Sequence, residues 1–146
     1  MSRETQIADA LVTELNHASR PWNIPSSAFT ASRGWHTVYT PTTLRTLQVR
    51  VVPLDLEEEQ LRDMTDMTYS FAIDFQQAVD PDSNTAIDAL ADIVEQVGDY
   101  YRTPHSLLAG WTAVGCKLVD SQLFNLLYHE RHWEAALIVR VRGAVL

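Results

Sequence analysis

The chain has 146 residues, 46% of them hydrophobic and 21% charged, with a formal net charge of −8. Those values fit one folded domain and exclude wholesale disorder, collagen-like repeats and two independent cores. No run approaches the roughly 18 uninterrupted apolar residues of a membrane-spanning helix, and the segment after Met1 is too mixed for a signal-peptide core, so a place inside a cell, or in something assembled inside one, is expected.

Ile7, Leu11, Leu15 and Ala18 recur on one helical face, with Ser2 as cap and Arg20–Pro21 as stop, which predicts an amphipathic helix. Residues 21–34 carry Trp22, Ile24 and Phe29 without either period and read as an ordered loop pinned by its aromatics. Residues 35–39 read as a short strand. After Pro41, the alternation of Leu47, Val49 and Val51 with polar residues predicts a half-buried strand that Pro53 ends. Residues 54–66 then read as a long acidic loop with Leu54, Leu56, Leu61 and Met64 as scattered anchors.

The clearest signal follows. Met67, Tyr69, Phe71, Ile73, Phe75, Gln77 and Val79 alternate with smaller or polar residues, which predicts a strand with one packed and one open face, and hence an antiparallel sheet. The turn at 80–85, with Thr85 as a weak cap, starts a helix whose seam is Ile87, Leu90, Val94, Val97 and Tyr101 and which Pro104 closes. A loop at 103–110, a strand at 111–119, a brief helical or irregular piece to Tyr128 and a last strand from Trp133 to Arg142 complete the chain. The fold expected is a single α+β domain: a mostly antiparallel sheet of about five strands with two main helices on one face.

Charge is unevenly distributed. Between Asp55 and Asp99 thirteen acids face one base, Arg62, so this block carries −12 and the rest of the chain +4. Unlike surfaces of this kind favour head-to-tail association of identical copies; the competing reading is a solvated acidic surface that keeps the protein soluble. An acidic chain without a basic cluster lacks the phosphate contacts that drive nucleic-acid binding. Ten of the eleven bases are arginines, whose forked donors suit protein interfaces.

Motifs of chemistry are missing. The five glycines are isolated and begin no phosphate-binding loop. His129–Glu130–Arg131–His132 has i, i+3 spacing instead of the i, i+4 spacing of H-E-x-x-H, so a surface turn is expected and no metal. Cys116, the single cysteine, excludes an intrachain disulfide and reads as a buried structural thiol. Glu57, Glu58 and Glu59 lack the spaced ligands of a calcium loop. Asp74, on the polar face of the long strand, reads as a solvent-facing carboxylate; a general base is the competing reading, and it has no identifiable partner. No catalytic residue, metal or cofactor is expected.

The N-terminal helix, the strand Leu47–Pro53 with its acidic continuation, the alternating strand Tyr69–Phe75, the helix Leu90–Tyr101 and the basic last strand together make the chain resemble the tail-terminator or tail-completion proteins of tailed bacteriophages and prophages. The resemblance covers most of the chain, with the exception of the aromatic 21–39 region. It implies a non-enzymatic α+β virion protein of the tail or neck, assembled in the bacterial cytoplasm. Such a protein forms a ring, hexameric by the same resemblance, that caps the tail tube and contacts tail-tube and head–tail connector proteins. A ring needs a two-part interface. The candidate halves are the acidic residues Glu57, Glu58, Glu59, Asp63 and Asp66 of one copy and Arg50, Arg140 and Arg142 of the next. The alternative is a small enzyme or ligand-binding domain with a pocket between the open sheet face and the aromatic segment containing Trp22, Phe29 and Trp35.

Overall fold

A computed structural model describes residues 1–17, 22–25, 27–36, 42–119 and 132–146. The expected helix stop at Arg20–Pro21, most of the 35–39 strand, the piece ending at Tyr128 and residues 129–131 of the histidine cluster lie outside the described residues.

Helix α1 (Arg3–Leu15) begins where expected: the Ser2 hydroxyl accepts the Thr5 amide at 3.2 Å, satisfying one of the N–H groups that a helix start leaves without a partner. Ile7, Leu11 and Leu15 are fully buried. Just past the helix, the Asn16 side chain both accepts from the Ala31 amide at 2.7 Å and donates to the Ala31 carbonyl at 3.0 Å. It thereby does for one residue what a neighbouring strand would do. That clasp holds strand β1 (Ala31–Arg33), which lies inside the expected loop and pairs in parallel with β2 (Gln48–Gln60). Trp35 and His36, by contrast, belong to no strand, and Trp35 is 63% exposed.

Strand β2 is the largest departure from the sequence reading. It runs through Pro53 to Gln60 and is joined by the turn 61–64 to β3 (Thr65–Ala78), so the acidic stretch is one arm of a long hairpin. Pro53 is tolerated because β1 stops pairing at Val51, leaving Pro53 on a strand edge where a missing N–H costs no ladder bond. A register shift between Pro53 and Asp55 makes Leu54 an extra residue, a β-bulge that re-aims the arm.

Helix α2 (Asn84–Arg102) is capped by Ser83, whose hydroxyl accepts the Ala86 amide, and not by Thr85. The segment after Pro104, expected as a loop, contains strand β4 (His105–Leu108), which pairs with β5 (Trp111–Val119); β6 (His132–Val145) closes the chain. His132 is thus the first residue of a strand. The sheet order is β1-β2-β3-β6-β5-β4, antiparallel except at β1-β2. The architecture is therefore α+β, with a mixed six-stranded sheet and two helices.

Both helices cover the face that carries Phe71, Ile73 and Phe75. The apolar seams of α1 and α2 share one buried cluster with these residues, with Val49 and Val51 of β2 and with Leu137, Val139 and Val141 of β6. The opposite face is not open along its whole length: Ala72, Asp74 and Gln76 are buried there, which corrects the expectation of a solvent-facing Asp74.

Gly143 sits between Met67 of β3 and Trp111 of β5, and the Trp111 ring lies over it. A β-carbon there would stand 2.5 Å from both the Gly110 carbonyl oxygen and a ring carbon of Trp111. Trp111 in turn packs edge-on to Tyr69 at 5.6 Å. Gly143→Ala is expected to displace this ring and to cost about 1–3 kcal/mol, the usual range for overpacking, measured as a lower urea midpoint. An unchanged midpoint would mean that Trp111 does not need that space.

Candidate interaction surface

The hairpin arm is built from alternation. Residues directly opposite in adjacent strands share a sheet face. Leu56, Glu58 and Gln60 therefore lie with Tyr69, Met67 and Thr65 on the helix side, while Asp55, Glu57 and Glu59 lie with Ser70, Thr68 and Asp66 on the other. Across β3, Arg142 is opposite Thr68 and Arg140 is opposite Ser70. One sheet face thus carries an acidic row on β2, a hydroxyl row on β3 and a basic row on β6.

Within the chain these rows already meet. Arg142 forks onto Asp66, with Nη2–Oδ2 at 2.6 Å and Nε–Oδ1 at 3.1 Å, and this hydrogen bonding holds the Asp66 carboxyl below its usual range. Arg140 approaches Glu57 at 3.9 Å. Three of the eight expected interface residues, Glu58, Glu59 and Asp63, are exposed acids in no ion pair among the described residues. Arg50 stands apart from the arm, cross-strand from Asp74, with its Nη1 donating to the His36 carbonyl at 2.9 Å. The structure therefore gathers Glu57, Asp66, Arg140 and Arg142 on one surface and leaves Arg50 in a separate cluster.

That second cluster escaped sequence reasoning. Asp74 is 2% exposed and accepts a hydrogen bond from Gln76 Nε2 at 2.5 Å. Glu134 of β6 is opposite Gln76 and diagonal to Asp74. Burial pushes the Asp74 carboxyl up to about 7; Glu134 pushes the same way by charge and hydrogen bonding, and Gln76 and Arg50 oppose it. Glu134 thus favours the protonated form of its Asp74 neighbour. The only signal in the sequence was the acid on an alternating strand, and the burial that gives it meaning is tertiary.

The arm is also apolar. Leu54, Leu56, Leu61 and Met64 are 52%, 37%, 47% and 39% exposed, so they do not anchor the segment to the body as expected. Among the described residues no strand pairs with β2 beyond Val51 on its outer edge, where exposed leucines stand and the Leu56 amide donates to the Asp55 carboxylate at 2.8 Å.

The aromatic segment is arranged differently from the expected pocket wall. Phe29 packs edge-on to Phe75 at 6.3 Å and Trp22 edge-on to Tyr100 at 5.0 Å, both on the helix side of the sheet. A cleft of about 480 Å³ lies elsewhere, between α2 and the β5-β6 pair; Val94, Leu118, Trp133 and Leu137 form apolar walls, and Glu95 and Asp99 supply acids. Asp99 is held by Arg102 in an ion pair. Cys116 is half-buried and its thiol is pushed up to about 11 by burial, the character of an unreactive thiol. Among the described residues no three His, Cys, Asp or Glu side chains converge as metal ligands, and no helix is long and apolar enough to cross a membrane.

No protein-family model matches this chain, and no curated protein matches it in sequence.

Proposed function

We propose that this chain is a structural protein of a tailed-phage or prophage virion, a tail-terminator or tail-completion subunit. It forms a homo-oligomeric ring, a hexamer, at the head-proximal end of the tail tube and joins the tube to the head. It works by contact, not by turnover, and is assembled in the bacterial cytoplasm together with tail-tube and connector proteins. The observation that carries the reading is the arm: a long hairpin, acidic and apolar at once, whose outer edge beyond Val51 is paired by none of the described residues. Exposed leucines and unpaired strand edges are costly on a free monomer and suit a surface that is covered in an assembly. The intrachain pairs Arg142–Asp66 and Arg140–Glu57 stiffen the arm, and Glu58, Glu59 and Asp63 give it the charge that steers a partner.

Sedimentation velocity across a salt series, with the protein alone and with its tail tube, tests this. Association is expected at low ionic strength and should weaken as salt screens the exposed charges. A monomer at every salt concentration, with and without the tube, would overturn the reading.

A further inference from the structure

The proposed ring leaves open which surface of a neighbour receives the arm. We propose that the arm tip of one copy seats in the cleft between α2 and the β5-β6 pair of the next, Leu61 and Met64 entering it and Arg62 meeting Glu95. This rests on the self-association proposed above and deepens it.

The tip has the chemistry of a plug. Its turn is closed by the Leu61 amide donating to the Met64 carbonyl at 2.8 Å, which fixes two exposed apolar side chains on either side of Arg62 and Asp63. Arg62 is the one base in the acidic block and makes no ion pair among the described residues.

The cleft is the complement. Its walls are apolar, and about 480 Å³ accommodates a leucine and a methionine side chain together. Glu95 borders it, exposed and in no ion pair among the described residues, whereas the nearby Asp99 is neutralised by Arg102. The tip thus offers the base Arg62, with the acid Asp63 beside it, and the cleft offers the acid Glu95, each next to apolar groups.

Plug and cleft cannot meet within one molecule. The tip adjoins Thr65, which is opposite Val145 at one end of β6, and Trp133 in the cleft is near the other end. Some 12 residues of strand at ~3.3 Å each separate them by roughly 40 Å. The contact therefore joins two different surfaces of two copies. Repeated, a contact of this type closes into a ring when its rotation allows.

Charge reversal tests the inference at exposed positions that the core does not use. Arg62→Glu and Glu95→Arg are each expected to weaken association about tenfold or more, and the double variant to recover most of that loss. In a Cys116→Ser background, mixing a Met64→Cys chain with an Ala91→Cys chain should trap a mixed disulfide dimer under oxidation that neither chain forms alone. Two results separate the inference from the reading beneath it. Wild-type assembly that both single reversals leave unchanged, or a double variant as weak as the sum of the singles, overturns the plug while the ring stands. A wild-type chain that never associates overturns both.

Discussion

Asp74→Asn is expected to make the protein more stable above neutral pH and to flatten its pH dependence. In the folded chain the Asp74 carboxyl is raised to about 7, while an unfolded aspartate titrates near its ordinary value. Between those two values the native state holds a proton that the unfolded state has released, so stability falls as pH rises through this window. The full shift corresponds to at most about 4 kcal/mol at pH above 7. Asparagine keeps an acceptor for Gln76 and a donor for Glu134 and cannot ionise. Urea midpoints from about pH 5.5 to about pH 8.5 should decline for the wild type and stay nearly level for the variant, the two curves separating most at the alkaline end. A variant less stable than the wild type at alkaline pH would show that the ionised carboxylate, paired with Arg50, is the form the fold needs.

The second large effect lies across the sheet. Phe75 is fully buried, lies opposite Val49 and Ala135, and meets the edge of the Phe29 ring. Phe75→Ala removes a core ring and the seat of the aromatic segment together, at a cost of about 3–5 kcal/mol. A double-mutant cycle with Phe29→Ala should return a coupling of about 0.5–1.5 kcal/mol, the share that belongs to the ring pair itself. A loss for Phe75→Ala under about 1 kcal/mol, or no coupling, would place the aromatic segment off this core.

What the sequence makes legible is local. Helix α1 shows its cap and its period, β3 alternates over its whole length, and the apolar seam of α2 can be read directly. Each of these depends on neighbours three or four residues away, or two. The features that define the interaction surface depend on strand pairing. Leu54, Asp55, Leu56 and Glu57 alternate again, one residue out of phase with Leu47, Val49 and Val51 because of the bulge, and Pro53 stands between as an apparent stop that is harmless because no described residue pairs on its outer side. Strands β1 and β4 are three and four residues long and owe their form to Asn16, β2 and β5. Trp35 and His36 begin a stretch with strand-like composition, yet neither belongs to a strand. The arginines were legible as bases, but not that Arg140 and Arg142 face the arm in their own chain while Arg50 faces Asp74. The cluster around buried Asp74 and the cleft have no local signature, since their members come from β2, β3 and β6 and from α2, β5 and β6.

Self-association through an acidic, partly apolar arm, in the service of capping a tube, is the claim from which the rest follows. Electron microscopy of tail tubes mixed with labelled protein addresses it most directly. Label is expected at one end of each tube, as a ring coaxial with it. Label scattered along the tube wall, or tubes left bare by a folded wild-type protein, would contradict it.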